Sequence, residues 1–257
     1  MRKCRASITK QAMPLRVLYQ DESLVAVDKP AGFHVHPPEP GEDGRRHRVP
    51  AARNCMRIVR DQLGSYIYPV HRLDVATSGV LLFALDSSSA ARIQAQFAAR
   101  TITKRYFAIV RGWTSEEGKV DSPLDGAASE TAFTRIATME LPAPSKRYAT
   151  SRYSLAAVEP LTGRRHQIRR HLAHLRHPLV GDTIYGDGTH NRIFRERIPQ
   201  SGLFLKAYSI QLAHPRSGEE LVIRSRWNRA WLEAFDLFGM CPITPERVTR
   251  SSVSRLS

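Results

Sequence analysis

His71-Arg72-Leu73-Asp74-Val75-Ala76-Thr77-Ser78-Gly79-Val80-Leu81-Leu82-Phe83-Ala84-Leu85 is the stretch from which the architecture can be read. Residues 80–85 are apolar without alternation, the pattern of a strand buried on both faces. Asp86 or a serine after it then starts a helix, with Ile93 and Phe97 four apart on one face. Upstream, 15–19 and 24–28 are short β-rich runs split by a polar tetrapeptide, which predicts a hairpin closed off by Lys29-Pro30-Ala31-Gly32. Asn54 caps a helix that stops at Gly64. Downstream, 105–111, 131–139, 152–158, 203–212 and 221–223 read as strands, and the proline-bearing 140–150 as a loop. Ile168, Leu172 and Leu175 predict an amphipathic helix stopped by Pro178. Trp231, Phe235 and Phe238 predict a last helix ended by Gly239. Strands outnumber helices and do not alternate with them, which predicts one α+β domain rather than a doubly wound parallel sheet.

The rest of the composition narrows the partners. Lys and Arg number 39 against 24 Asp and Glu in 257 residues, a net charge of +15. Such a balance calls for a polyanion, nucleic acid first and an anionic membrane surface second. No apolar run approaches the ~20 residues that span a bilayer. The basic residues 1–14 lack the apolar core of a secretion signal and read as a loose arm. Three scattered cysteines with no CxxC pair argue against a disulfide framework, and a cytoplasmic location is expected. The loop 37–53 carries Arg45, Arg46, Arg48 and Arg53 and reads as exposed and basic, and 241–257 reads as a mobile tail.

Two segments carry chemistry. Residues 161–177 hold Arg164, Arg165, Arg169, Arg170 and Arg176 with four histidines and no acid. Five uncompensated arginines repel one another unless an anion sits among them, which points to RNA or phosphate. The alternative is a solvated basic helix face. His171, His174 and His177 step by three and drift around a helix, so a metal site is disfavoured and no metal is expected. The second segment is 71–79, in which His71, Arg72, Asp74, Thr77 and Ser78 crowd together. Residues alone leave a turn and a catalytic cluster equally open. A Ser-His-Asp hydrolase lacks its G-x-S-x-G elbow.

The same segment resembles the HRLDxxTSG motif of the RluA-type pseudouridine synthases, and three further pieces agree in order. Residues 25–32, VAVDKPAG, resemble the strand ending in KPxG; Lys104-Arg105-Tyr106-Phe107-Ala108 resembles K-x-Y-x-A; and 162–172, TGRRHQIRRHL, resembles TGRxHQIRxHL. His177-Pro178, Gly181-Asp182 and Tyr185-Gly186 follow in order. The loop 37–53 departs from the family pattern, and Lys206 stands where a histidine commonly follows a leucine.

The resemblance implies a mixed, mainly antiparallel sheet with flanking helices and a central basic cleft, spanning 15–240. It implies isomerisation of uridine with no cofactor. Asp74 is the implied catalyst, Arg169 its ion-pair partner, and Tyr106 the platform under the target base. Arg72 would fill the space of the extruded uridine, while Arg164, Arg165, Arg170 and Arg176 contact RNA. The run 164–178 with Asn191-Arg192 looks most like the branch acting on the acceptor-stem region of tRNA. Ribosomal RNA is the alternative substrate, a catalytically silent RNA-binding protein and a histidine-arginine phosphodiesterase the alternative functions. No protein partner is implied, and a monomer is expected.

Overall fold

The computed structural model describes residues 13–36, 50–145 and 148–243. Most of the arm 1–14, the arginines 45, 46 and 48 of the basic loop, and nearly all of the tail 241–257 lie outside them. The elements in chain order are β1 (Arg16–Gln20), β2 (Leu24–Lys29), α1 (Cys55–Leu63), β3 (Tyr68–Pro69), β4 (Ser78–Ala84) and α2 (Ser87–Ala98). Then come β5 (Thr103–Arg111), β6 (Glu117–Asp121), β7 (Glu130–Leu141), β8 (Ser151–Pro160) and α3 (Gln167–His174). The chain closes with α4 (Gly188–Arg197), β9 (Leu205–Ala213), β10 (Glu220–Arg224) and α5 (Arg229–Leu237). The strands form one sheet in the order β1-β2-β4-β9-β5-β8-β7-β6, with β3 on β4 and β10 on β9. Every pairing is antiparallel except β4 with β9.

That one parallel pairing organises the molecule. It spans only Ser78–Lys206 and Gly79–Ala207, because the same edge of β9 is taken by β10 from Ser209 onward. Gly79 has φ +123, and a Cβ there would lie 2.0 Å from the carbonyl oxygen of Ala207, so only glycine lets the strands meet. The seam joins two halves. In the first, β2 and β4 are covered on both faces. Val25, Val27, Leu81 and Phe83 pack with Ile58 and Val59 of α1, while Leu24, Ala26, Val80 and Leu82 pack with Ala90 and Ile93 of α2. This double burial is why 80–85 shows no alternation, and each such side chain contributes roughly 1.5–3 kcal/mol. In the second half, α4 and α5 cover Phe107, Ile109, Tyr153 and Leu155, and α3 covers Ala108, Val110, Ala156 and Val158 from the other side.

Four elements differ from the sequence reading, the two-residue β3 being one that no run of residues marked. α3 ends at His174 rather than at Pro178, because Arg176 turns left-handed at φ 64, and Leu175 is left 37% exposed, off the packed face. β6 was not expected, since Glu117–Asp121 offers only Val120 to the core. α4 was not expected either, because its packed face mixes Ile193 and Phe194 with the buried polar His190 and Asn191.

Candidate active site

A cleft of about 420 Å³ opens at the N-terminal ends of β4 and β9. It is lined by the loop before β4, including Arg72, Asp74 and Thr77, by Lys104 and Tyr106 of β5, and by 162–169. Three of the four motifs thus line the cleft, and the fourth, 25–32, reaches the Asp74 loop through Lys29.

The loop bearing Asp74 is held from below. Lys29 is fully buried, and its Nζ donates to the carbonyls of Pro30 (3.0 Å), Val75 (3.1 Å) and Thr77 (2.7 Å). The amide of Gly32, at φ +83, donates to Val75 O at 2.7 Å, and Thr77 N closes a turn on Asp74 O at 3.0 Å. Burial draws the Lys29 ammonium down to about 8, against the favourable fields of Cys55 and Asp74. The KPxG stretch therefore clamps the segment that carries Asp74. His71 is a strut rather than a reactive group. Its Nε2 accepts the Leu82 amide at 2.9 Å, and burial together with the Lys104 charge pushes it down to about 4.

Arg169 meets Asp74, but Asp74 is not its main partner. Its Nη1 lies 3.4 Å from Asp74 Oδ2, while its Nε and Nη2 donate to both oxygens of Asp182 at 2.7 and 2.8 Å. Asp182 also accepts the amides of Ile184 and Tyr185, and Asn191 pins the Gly181-Asp182 backbone from both sides. Burial opposes both charges. The Asp182 bonds outweigh it, with help from Asp74, and raise Arg169; the Arg169 bonds and the two amides likewise lower Asp182. The sequence reading gave Asp182 no role, although it stands in the motif that follows the basic helix. It is the carboxylate that makes a buried arginine tolerable beside Asp74.

Tyr106 faces the same cleft, and burial plus the nearby Asp74 raise its hydroxyl above the ordinary range. His166, left-handed at φ 54, sets Nε2 3.9 Å from Asp74 Oδ1 and pairs Nδ1 with the Tyr185 hydroxyl at 3.1 Å. Lys104 bonds Thr162 O at 2.9 Å, and burial lowers it to about 8.

The arginines divide. Arg72, Arg164 and Arg165 line the cleft, are exposed, and have no carboxylate at ion-pair distance among the described residues. Arg170 is gripped by Asp125 through two bonds of 2.7 and 3.0 Å, and Arg176 sits at the far end of α3, away from the cleft lining. The expectation that five arginines lack compensation is therefore corrected, since Asp182, Asp125 and Asp74 reach two of them from elsewhere in the chain. The histidines also part company. His171 bonds Thr131 and Ser122, His177 bonds Arg111 O, and His174 is exposed. Among the described residues no group of three or more His, Cys, Asp or Glu could hold a metal ion.

A basic cleft that brings an aspartate, an arginine and a tyrosine together on a seam-joined mixed sheet fits one class of RNA-modifying enzyme. Residues 23–174 match the family described as RNA pseudouridylate synthase. The chain belongs to that family, in its RluA-type branch, and is a pseudouridine synthase, an isomerase. It is similar to tRNA pseudouridine synthase C of Vibrio vulnificus, 42% identical over 240 residues, 87% of this chain and 95% of the relative. The protein of the same name from Salmonella typhimurium is 42% identical over 259 residues, 94% of this chain and 97% of the relative. In fold it resembles the solved Human RNA Pseudouridylate Synthase Domain Containing 4, with TM-score 0.65, 21% identity, and 87% and 93% of the two chains covered. The mixed, mainly antiparallel α+β sheet expected from the motifs is thus the observed fold. No helix among the described residues is long and apolar enough to cross a membrane.

Proposed function

We propose that this pseudouridine synthase acts on tRNA, at a uridine in the acceptor-stem region, with residues 15–240 as its catalytic domain and Asp74 as its catalytic group. In this reaction the C1′–N1 bond of uridine breaks, the base turns over, and C1′ bonds to C5. The C5 proton leaves and N1 gains one, so no external reactant is consumed. The observation that carries the reading is the place of Asp74 in the cleft, 3.4 Å from an arginine that two further bonds tie to Asp182. Arg169 is thereby held in place without neutralising Asp74 through a bidentate grip. A carboxylate so placed serves as nucleophile at the sugar or base, or as base toward a sugar C–H. A paired uridine must leave the helix to reach it, at a few kcal/mol. Stacking on Tyr106 and entry of Arg72 into the vacated space offset that cost. Arg164 and Arg165 take backbone phosphates. The names of the similar relatives support tRNA over ribosomal RNA. The enzyme works alone, as a monomer in the cytoplasm, without metal or cofactor.

The test offers purified enzyme equal moles of bulk tRNA and protein-free ribosomal RNA and maps pseudouridine in both. New modification in the tRNA acceptor-stem region is expected; modification confined to ribosomal RNA overturns the substrate. Asp74→Asn is expected to bind tRNA with near wild-type affinity and to release no tritium from 5-tritiated uridine in single turnover. Turnover at the wild-type rate would remove Asp74 from the mechanism.

A further inference from the structure

Beside the cleft, a second hollow of about 390 Å³ is lined by Ala98, Arg100, Ile102 and Leu161, and shares Phe97, Lys104, Thr162, Gly163 and Arg164 with the cleft. It is therefore the continuation of the cleft across the Gly163 turn toward the C-terminal end of α2. Its floor is apolar, with Leu161 44% exposed, and its rim is cationic. No acid lines it. Its volume falls in the range of a small-ligand site, enough for one nucleotide.

Arg100 marks this hollow by its backbone. It sits just past the end of α2 at φ 59, with Arg100 N bonded to Phe97 O and Thr101 N to Gln96 O. This is the left-handed position that glycine fills most readily, since it lacks the Cβ that such a backbone crowds. The same molecule uses glycine to end α1 and α5, at Gly64 and Gly239. Arg176 ends α3 in the same strained way but lines neither hollow, so strain by itself assigns nothing. Arg100 alone combines strain, exposure and a place on the rim, and no carboxylate pairs with it among the described residues. Strain of this kind persists where the surrounding structure holds it, and it clusters at ligand-binding sites.

We propose that this hollow is a subsite for a nucleotide flanking the extruded uridine. Arg100 and Arg164 hold its phosphates, and the Phe97–Leu161 floor receives its ribose and base edge. The proposal rests on the reading that the cleft receives the target uridine. Cation and apolar floor together suit a sugar–phosphate backbone, whereas a solvated basic face needs neither floor nor strain. The rival explanation is that Arg100 merely complements the negative end of the α2 dipole.

Arg100→Gly separates the two, because it removes the charge and relieves the backbone at once. Arg100→Asn removes the charge while tolerating the left-handed backbone, and Arg100→Lys keeps the charge. We expect the Gly and Asn variants to raise KM for RNA on the order of fivefold, with kcat retained and the salt slope of binding reduced by about 1. The melting temperature of the Gly variant should not fall, and the Lys variant should recover most of the affinity. An unchanged KM and salt slope in Arg100→Gly overturns the subsite, as does a Lys variant as impaired as Asn. Wild-type enzyme in the same assay reports on the substrate separately. If it modifies ribosomal RNA rather than tRNA, the tRNA reading falls and the Arg100 variants are judged on ribosomal RNA.

Discussion

At the residue scale the decisive finding is that Asp74 shares its arginine with a stronger carboxylate. Asp182 is completely buried in its side chain and takes two bonds from Arg169. Asp182→Asn leaves a buried guanidinium short of charge, and we expect it to cost about 3–5 kcal/mol of stability by urea unfolding. The pH signature has a definite sign. The folded pKa of Asp182 is lowered from 3.8, so its stabilisation is present above 3.8 and is lost as pH falls through the folded value. Wild type should therefore weaken on acidification below about 4 more steeply than the Asn variant. Arg169→Met should cost more activity than Arg170→Met, whose partner Asp125 is exposed and whose side chain stands outside the cleft. Lys104 supplies a second pH test. Its pKa of about 8 means the unliganded site holds much of it neutral above that pH. A phosphate nearby favours the charged form, so binding takes up a proton and weakens as pH rises through about 8. Lys29 titrates in the same window, so the comparison is with Lys104→Arg, whose tRNA affinity should stay flatter between pH 7 and 9 by filter binding.

At the element scale, position is conferred by parts that never touch substrate. The β2 terminus presents Lys29 to three carbonyls, two of them in or beside the catalytic loop. Lys29→Met strands those acceptors, and we expect a loss of about 2–4 kcal/mol. Turnover should fall roughly 100-fold through misplacement of Asp74, with tRNA affinity changed far less, as read by a kcat against KM split. Sequence and structure can be compared here. β4 was legible because double burial removes alternation, α1 and α2 because Asn54 and Asp86 cap them through side-chain bonds, and α5 because Trp231 and Phe235 recur on one buried face. α4 was not, since a helix packed through His190 and Asn191 has no apolar stripe. In the site, Asp74, Tyr106 and Arg169 were named only through motif resemblance. Residues alone left the 71–79 segment between turn and catalyst. The function of Asp182 was hidden because nothing local links it to an arginine 13 positions earlier. The one signal was the absence of acid among 161–177, which required carboxylates from elsewhere.

At the scale of the whole molecule the net charge is +15, and the exposed Arg72, Arg164 and Arg165 line the cleft. With Arg100, Lys104, Arg164 and Arg165 on phosphates, log K against log salt should fall with a slope on the order of −3. Arg164→Ala with Arg165→Ala should flatten it by about 1.5, and a nearly flat wild-type titration would make the basic face mere solvation. The two-residue seam has a temporal consequence. Asp74 and Arg169 are 95 positions apart and belong to opposite halves of the sheet. Those halves touch through β9, so the first half, made first on the ribosome, has its aspartate long before its arginine. Pairings so distant in sequence close late in folding. A nascent chain emerging beside the densest store of RNA in the cell therefore has no assembled cleft until Lys206 and Ala207 have left the exit tunnel and docked on Ser78 and Gly79.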